Sequence, residues 1–247
     1  MFIASLYNLK GGVGKTASCV NFAYMAARDG YRTLLWDLDP QGASSYYYKA
    51  QPKEKSSAKK LIGHSLSVHN AIMPTEYEGL DIIPADISAR KIDDLLGEHD
   101  NSKKQLKGLL KDLSDDYDFV FIDCAPGFSH LADNVFYASD AVFMPVIPTT
   151  LSVRTYELVK NYFEDKKIDI DKLMCFFSMV DIRKNMHNDV MQDLLKDKRF
   201  FEHYIPYISE IEKMGLRKAP VEAYAPSGYA TTCYRGLWSE IKEGVLE

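Results

Sequence analysis

Residues 8–18 read NLKGGVGKTAS, a run that packs glycines and two lysines into one short stretch. Gly11, Gly12, Val13 and Gly14 lead directly into Lys15, Thr16 and Ala17. Glycines spaced in this way let backbone N–H groups turn toward an anion without a Cβ in the way. A lysine and a hydroxyl directly after them suit the outer phosphates and the Mg2+ of a nucleoside triphosphate. The run opens on Lys10-Gly11 and not on a strict G-x-x-x-x-G, so Lys10 is an additional cation whose task the glycine pattern alone does not state.

Two more stretches carry acids where chemistry would need them. TLLWDLDPQG contains Asp37, Asp39 and Gln41, and DFVFIDCAPG brings Asp123 after a run of apolar and aromatic residues. A carboxylate at such a strand end can hold Mg2+ through water. Either acid alone could merely end a strand in solvent; the coincidence with a glycine loop argues for a shared site.

Something must position these three ends together. Short apolar runs predict strands at 2–7, 33–39, 80–85, 118–126, 141–148 and 173–180, with a short last one at 203–208. Helical spacing predicts helices at 16–29, stopped by Gly30, and at 102–114, 152–164, 187–197 and 229–243. Nearly continuous apolar strands separated by helices describe an α/β fold, a mostly parallel central sheet with helices on both faces. Ligands of such sheets sit at the carboxyl ends of the strands. No linker or internal repeat divides the chain, so one domain over 1–247 is expected. The polar, basic segment 49–60 reads as an exposed excursion.

Composition sets outer bounds. The chain has 247 residues, 46% hydrophobic and 26% charged, enough for a sizeable core. A net charge of −5 argues against a surface that is basic throughout, although a local basic patch is compatible with it. Cys19, Cys124, Cys175 and Cys233 lie far apart, as buried free thiols of a reducing compartment would. The first residues lack the length of a secretory signal, and no apolar run approaches the roughly 20 residues that span a bilayer. A cytoplasmic protein is expected.

The motifs together resemble the ParA/MinD superfamily of P-loop NTPases. KGGVGKT is similar to its deviant Walker A loop, DLDPQG to the second motif of ParA-type partition ATPases, and FVFIDCAPG to their Walker B and switch II. FFSMVDIRKNMHNDV and APVEAYAPSGYATTCYRGLWSEI extend the likeness to most of the chain. The resemblance implies that ATP is held by residues 10–17 and that a homodimer forms with ATP, Lys10 reaching phosphates bound by the partner subunit. It implies that Asp39 orients the attacking water, so Lys10, Lys15 and Asp39 are the catalytic candidates. Thr16 and Asp123 are the Mg2+ candidates, with Asp37 ordering either the metal shell or only its loop. Ser178, Asp181 and Pro206 would lie near the adenine. Ala17 and Ala43 depart from the family's usual threonine and asparagine, and 148–157 matches only loosely.

Several uses of such an ATPase remain open. A partition ATPase would bind DNA nonspecifically as the ATP dimer and would be activated by a ParB-like protein, placing it at the nucleoid. Arg183, Lys184, Lys213, Arg217, Lys218 and Arg235 are the DNA-contact candidates, with Lys198 and Arg199 as further basic residues, but Glu210 and Glu212 are interleaved with them. The second use positions a protein cargo. A MinD-like membrane ATPase would need a basic amphipathic C-terminal helix, which Glu240, Glu243 and Glu247 oppose. An iron–sulfur reductase would need a second cysteine beside Cys124, and no motif supplies it.

Overall fold

The computed structural model describes residues 1–52, 60–61, 66–86, 93, 96 and 104–246. Seven strands form one sheet: β1 (Phe2–Leu6), β2 (Thr33–Asp37), β3 (Met73–Pro74), β4 (Leu80–Ile83), β5 (Phe119–Asp123), β6 (Ala141–Val146) and β7 (Leu173–Phe177). Their order is β3-β4-β2-β5-β1-β6-β7. All pairs are parallel except β3 with β4, at the edge. This is the mostly parallel α/β sheet that the apolar runs predicted.

The helices are α1 (Lys15–Arg28), α2 (Ala43–Tyr47), α3 (Gln105–Lys111), α4 (His130–Ala138), α5 (Thr150–Lys166), α6 (Asn185–Leu194), α7 (Ser209–Glu212), α8 (Met214–Arg217), α9 (Val221–Tyr224) and α10 (Tyr229–Leu246). Alternate strand residues feed two cores, as the two-residue period of a strand requires. Leu34, Trp36, Val120 and Ile122 pack toward α3, α4 and α5, through Leu110, Phe136, Val159 and Phe163. Leu35, Phe119 and Phe121 pack the other way, against Phe22 and Met25 of α1 and Tyr234, Leu237 and Trp238 of α10. Fully burying side chains of this size contributes about 1.5–3 kcal/mol each.

The strands end where their sequences force a turn. β2 stops at Asp37 and not at 39, because the Asp37 carboxylate accepts the Asp39 N–H at 3.2 Å and bends the chain. β4 stops before Pro84, and β7 stops before Met179, whose φ of 54° lies in the left-handed region. The stretch 203–208 is not the expected strand. It runs beside the end of β7 with a single bridge, Val180 to Pro206, because the Glu202 and His203 N–H groups turn to the Glu240 carboxylate of α10 and not to the strand. Residues 53–59 of the expected excursion, and 102–103 of an expected helix, lie outside the described residues; 49–52 around them are largely exposed.

Among the described residues, five helices were not expected: α2, α4, α7, α8 and α9. α4 begins at Ser129, whose hydroxyl accepts the Ala132 N–H at 3.0 Å, an N-cap signal in the sequence. α2 has no such local signal. α10 turns Ala230, Tyr234, Leu237, Trp238 and Ile241 into the core, so its apolar face is covered. Among the described residues no helix is long and apolar enough to cross a membrane.

Candidate functional site

The glycine loop joins β1 to α1 at the carboxyl end of β1, an interior strand of the sheet. Gly12 and Gly14 have φ of 72° and 94°, a region side-chain-bearing residues rarely occupy. A Cβ on Gly14 would lie 2.6 Å from the Ser178 hydroxyl oxygen, so Ser178 closes one side of the loop. Asn8, buried at the loop's foot, donates to the Pro145 carbonyl at 2.8 Å and accepts the Lys10 N–H at 2.9 Å. These contacts fix the loop to β6 as well as to its own strand.

The two lysines have different settings. Lys15 is buried, and its Nζ donates to the Lys10 carbonyl at 2.9 Å across the loop. Burial lowers its pKa, while Asp123 and Asp39 favour its charged form. Lys10 is only half-buried at the loop mouth. Its Nζ donates to the Leu151 carbonyl at 3.0 Å, in the first turn of α5, through a solvent-exposed bond.

Asp37 and Asp123 are register partners on β2 and β5, both fully enclosed. Asp37 is turned into its own loop. Its Oδ2 accepts the Ser45 N–H at 2.8 Å and the Ser45 hydroxyl at 2.7 Å, and its Oδ1 accepts Asp39 N–H. Burial raises its pKa to about 6. Asp123 accepts the Ser44 hydroxyl on Oδ2 at 2.7 Å, while its Oδ1 is buried with no hydrogen-bond partner among the described residues. Burial, then the charge of Asp37, pushes its pKa up to about 7, and the hydroxyls of Ser44 and Thr16 pull it back. Asp39 sits half-buried beyond this pair, its Oδ1 accepting the Gln41 N–H at 2.9 Å.

The arrangement has the parts a phosphate and its cation require. Left-handed glycines and the start of α1 point backbone N–H groups at one spot. Lys15 and Thr16 follow the loop directly and both act on Asp123, which keeps one buried oxygen without a partner among the described residues. Buried polar atoms are seldom left unpaired, so Asp123 Oδ1 fits a site for a hydrated cation. Sequence reasoning missed Ser44 and Ser45, which hold the two carboxylates; the adjacent serines after DLDPQGA were the available signal.

The remaining candidates divide. Ser178 and Asp181 follow β7, and Pro206 bridges to Val180 between them, so these three do come together. The Asp181 N–H donates to His187 Nδ1 at 3.1 Å, which makes that nitrogen an acceptor. Arg183 grips both Asp181 oxygens, at 2.8 and 2.9 Å, and this bond holds the carboxyl down at about 2. Arg235 is bound to Glu222, which it shares with Arg28 of α1, so its guanidinium is engaged and its charge partly offset. Arg199 pairs with Asp197 and Lys198 with Asp171. Lys213, Arg217 and Lys218 follow one another through α8 as exposed residues, with the Lys218 amine 4.5 Å from the Tyr46 ring centroid. Glu210 leaves that face: it accepts the Ala230 N–H at 2.9 Å at the start of α10. Lys184 is exposed just before α6. The four cysteines are free, three of them buried.

Residues 1–172 match the family described as AAA domain (AAA_31). The chain is 28% identical over 246 residues to the sporulation initiation inhibitor protein Soj of Bacillus subtilis, covering 97% of each. It is 30% identical over 202 residues to the chromosome partitioning protein ParA of Caulobacter vibrioides, covering 78% of this chain and 74% of that one. A plasmid partition protein of Borrelia burgdorferi bound to AMPPNP has the same fold, with a TM-score of 0.88 at 17% identity over 99% of both chains.

Proposed function

The chain belongs to this AAA domain family, in its ParA/MinD-type branch of P-loop ATPases, and from that premise we propose that it is a Mg2+-dependent, ATP-hydrolysing dimerisation switch that partitions DNA. One observation carries the reading: the glycine loop leads into a buried Lys15 whose charged form Asp123 favours, buried Asp123 keeps one oxygen unpartnered among the described residues, and a second lysine, Lys10, stands at the mouth. Residues 1–247 act as one domain. Gly11 to Ala17 wrap the phosphates, and Ser178, Asp181 and Pro206 line the base side. The Thr16 hydroxyl and, through water, Asp123 would hold Mg2+. The bound ion supplies positive charge against the phosphates.

The chain's own groups do the rest. Phosphoryl transfer needs mainly positioning and charge stabilisation. Lys15 is held by its neighbours in the charged form that a terminal phosphate needs. Asp39 orients the attacking water, and Asp37 holds the loop that carries Asp39. Lys10 exchanges its exposed bond to Leu151 for a phosphate in the partner subunit. A bond of this kind is worth about 0.5–1.5 kcal/mol, so the exchange is easily made.

Two copies of the Lys213–Arg217–Lys218 face would meet one duplex, and a ParB-like protein would stimulate turnover. The protein would then be cytoplasmic and nucleoid-associated. The inward turn of Glu210 supports this face. The ion pairs of Arg183 and Arg235 favour the second reading, a protein cargo in place of DNA. A salt titration of duplex binding by the Asp39→Ala protein, with ATP and with ADP, separates them. Partition predicts binding with ATP only, with a log–log salt slope of about −0.9 per phosphate contacted. Absence of binding at low salt with ATP overturns DNA partition in favour of a protein cargo.

A further inference from the structure

Asp37 and Asp123 stand side by side, yet the fold treats them differently. The donors to Asp37, from Asp39 and Ser45, come from its own loop, and both of its oxygens are taken. Asp123 has one oxygen taken, by the Ser44 hydroxyl, and one without a partner among the described residues. Ser44 and Asp123 are each fully enclosed, so this bond does not compete with water. Ser44 belongs to α2, a five-residue helix entered through Gly42, whose φ of 66° lets the chain turn back over the strand ends. That turn sends Ser44 to Asp123 and Ser45 to Asp37, one helix start spanning two strands.

We propose that Ser44 is a positioning residue for the cation site. Its hydroxyl donates to Asp123 Oδ2, stops the carboxylate from rotating, and presents Oδ1 toward the phosphate loop. It also ties the segment bearing Asp39 to the strand bearing Asp123, so metal and water positions move together. Outer partners of this kind commonly change metal affinity by 10–100-fold when removed. The proposal rests on the ATPase reading above.

The test uses Mn2+ as probe, with free ion followed by electron paramagnetic resonance in the presence of ADP. ADP affinity in EDTA is measured separately by calorimetry, and thermal melts report folding. Ser44→Ala should weaken Mn2+ binding about 10-fold or more and leave ADP affinity in EDTA unchanged. Ser44→Thr keeps the hydroxyl and should recover most of the loss. Equal Mn2+ affinity in the parent and in Ser44→Ala, or a threonine variant no better than alanine, overturns the role of Ser44 alone. A parent protein that binds no ADP with Mn2+ overturns the ATPase reading itself, and this proposal with it. If Ser44→Ala fails to fold, the comparison of Ser44→Thr with the parent decides, since a threonine that folds but loses Mn2+ binding also overturns the assignment.

Discussion

Replacing Asp123 by asparagine should stabilise the metal-free protein. Asp123 and Asp37 are register partners sealed from water; burial, then the charge of Asp37, raises Asp123 to about 7, and burial, with a smaller push from Asp39, raises Asp37 to about 6. The folded chain therefore keeps protons that the unfolded chain gives up near 3.8. Stability contributed by these groups is present at low pH and is lost as pH rises from the unfolded value through the folded one. For Asp123, moving from 3.8 to about 7 at 1.36 kcal/mol per pH unit caps the cost of ionisation at about 4 kcal/mol. Asparagine keeps an oxygen for the Ser44 hydroxyl and gives up the charge. The gain should grow between about pH 4 and pH 8 and reach about 2–4 kcal/mol. His187 works in the opposite sense, because burial and Lys184 lower its pKa and stability is lost as pH falls past its usual 6.5. It is common to both proteins, so the difference between them isolates Asp123. Urea unfolding in EDTA, followed by the fluorescence of the buried Trp36 and Trp238, measures that difference. A variant no more stable than the parent at the alkaline end, or a gain that ignores pH, would refute the argument. Added Mg2+ and nucleotide should reverse the ranking, since binding stabilises only the protein that binds.

Lys10→Ala should still bind ATP but remain monomeric with it, as read by light scattering, because Lys15 and the glycines hold the nucleotide within one chain. A variant that dimerises as the parent does would show that Lys10 does not cross between subunits. Gly14→Ala should lose about 1–3 kcal/mol of stability in chemical unfolding, from its φ of 94° and the contact with Ser178. Ser178→Ala in the same chain should relieve the contact and leave the backbone strain, restoring only part of the loss.

Much of the site was legible because its demands are local. A glycine loop between a strand and a helix is readable from residue types alone, and so were the acids at the ends of β2 and β5. The parallel sheet followed from apolar runs buried on both faces. What escaped notice was made by tertiary contacts. α2 is built from Ala43 followed by Ser44, Ser45, Tyr46 and Tyr47, four weak helix formers, and is held by bonds to Asp37 nearby and to the distant Asp123. The basic residues looked alike in sequence, yet Arg183 and Arg235 meet acids and Lys218 lies on a tyrosine; only the fold decides which neighbour each one has. Glu222, buried between Arg28 and Arg235, carried no sequence signal because its partners lie 194 and 13 residues away. The strand expected at 203–208 failed because the Glu202 and His203 N–H groups turn to Glu240 of α10, a partner that no local reading of the stretch supplies.

The pairing of Asp37 with Asp123 also bears on how such a protein can diverge. Their spacing is set by two neighbouring strands of one sheet, about 4.8 Å apart in any sheet, and not by a loop. β5 is clamped in register by β1 on one flank and β2 on the other. Insertions, deletions or rewritten surfaces in the connections can therefore accumulate over generations while the distance between the two acids stays constant. A lineage could exchange one cargo for another through its loops and inherit the same chemical core unaltered.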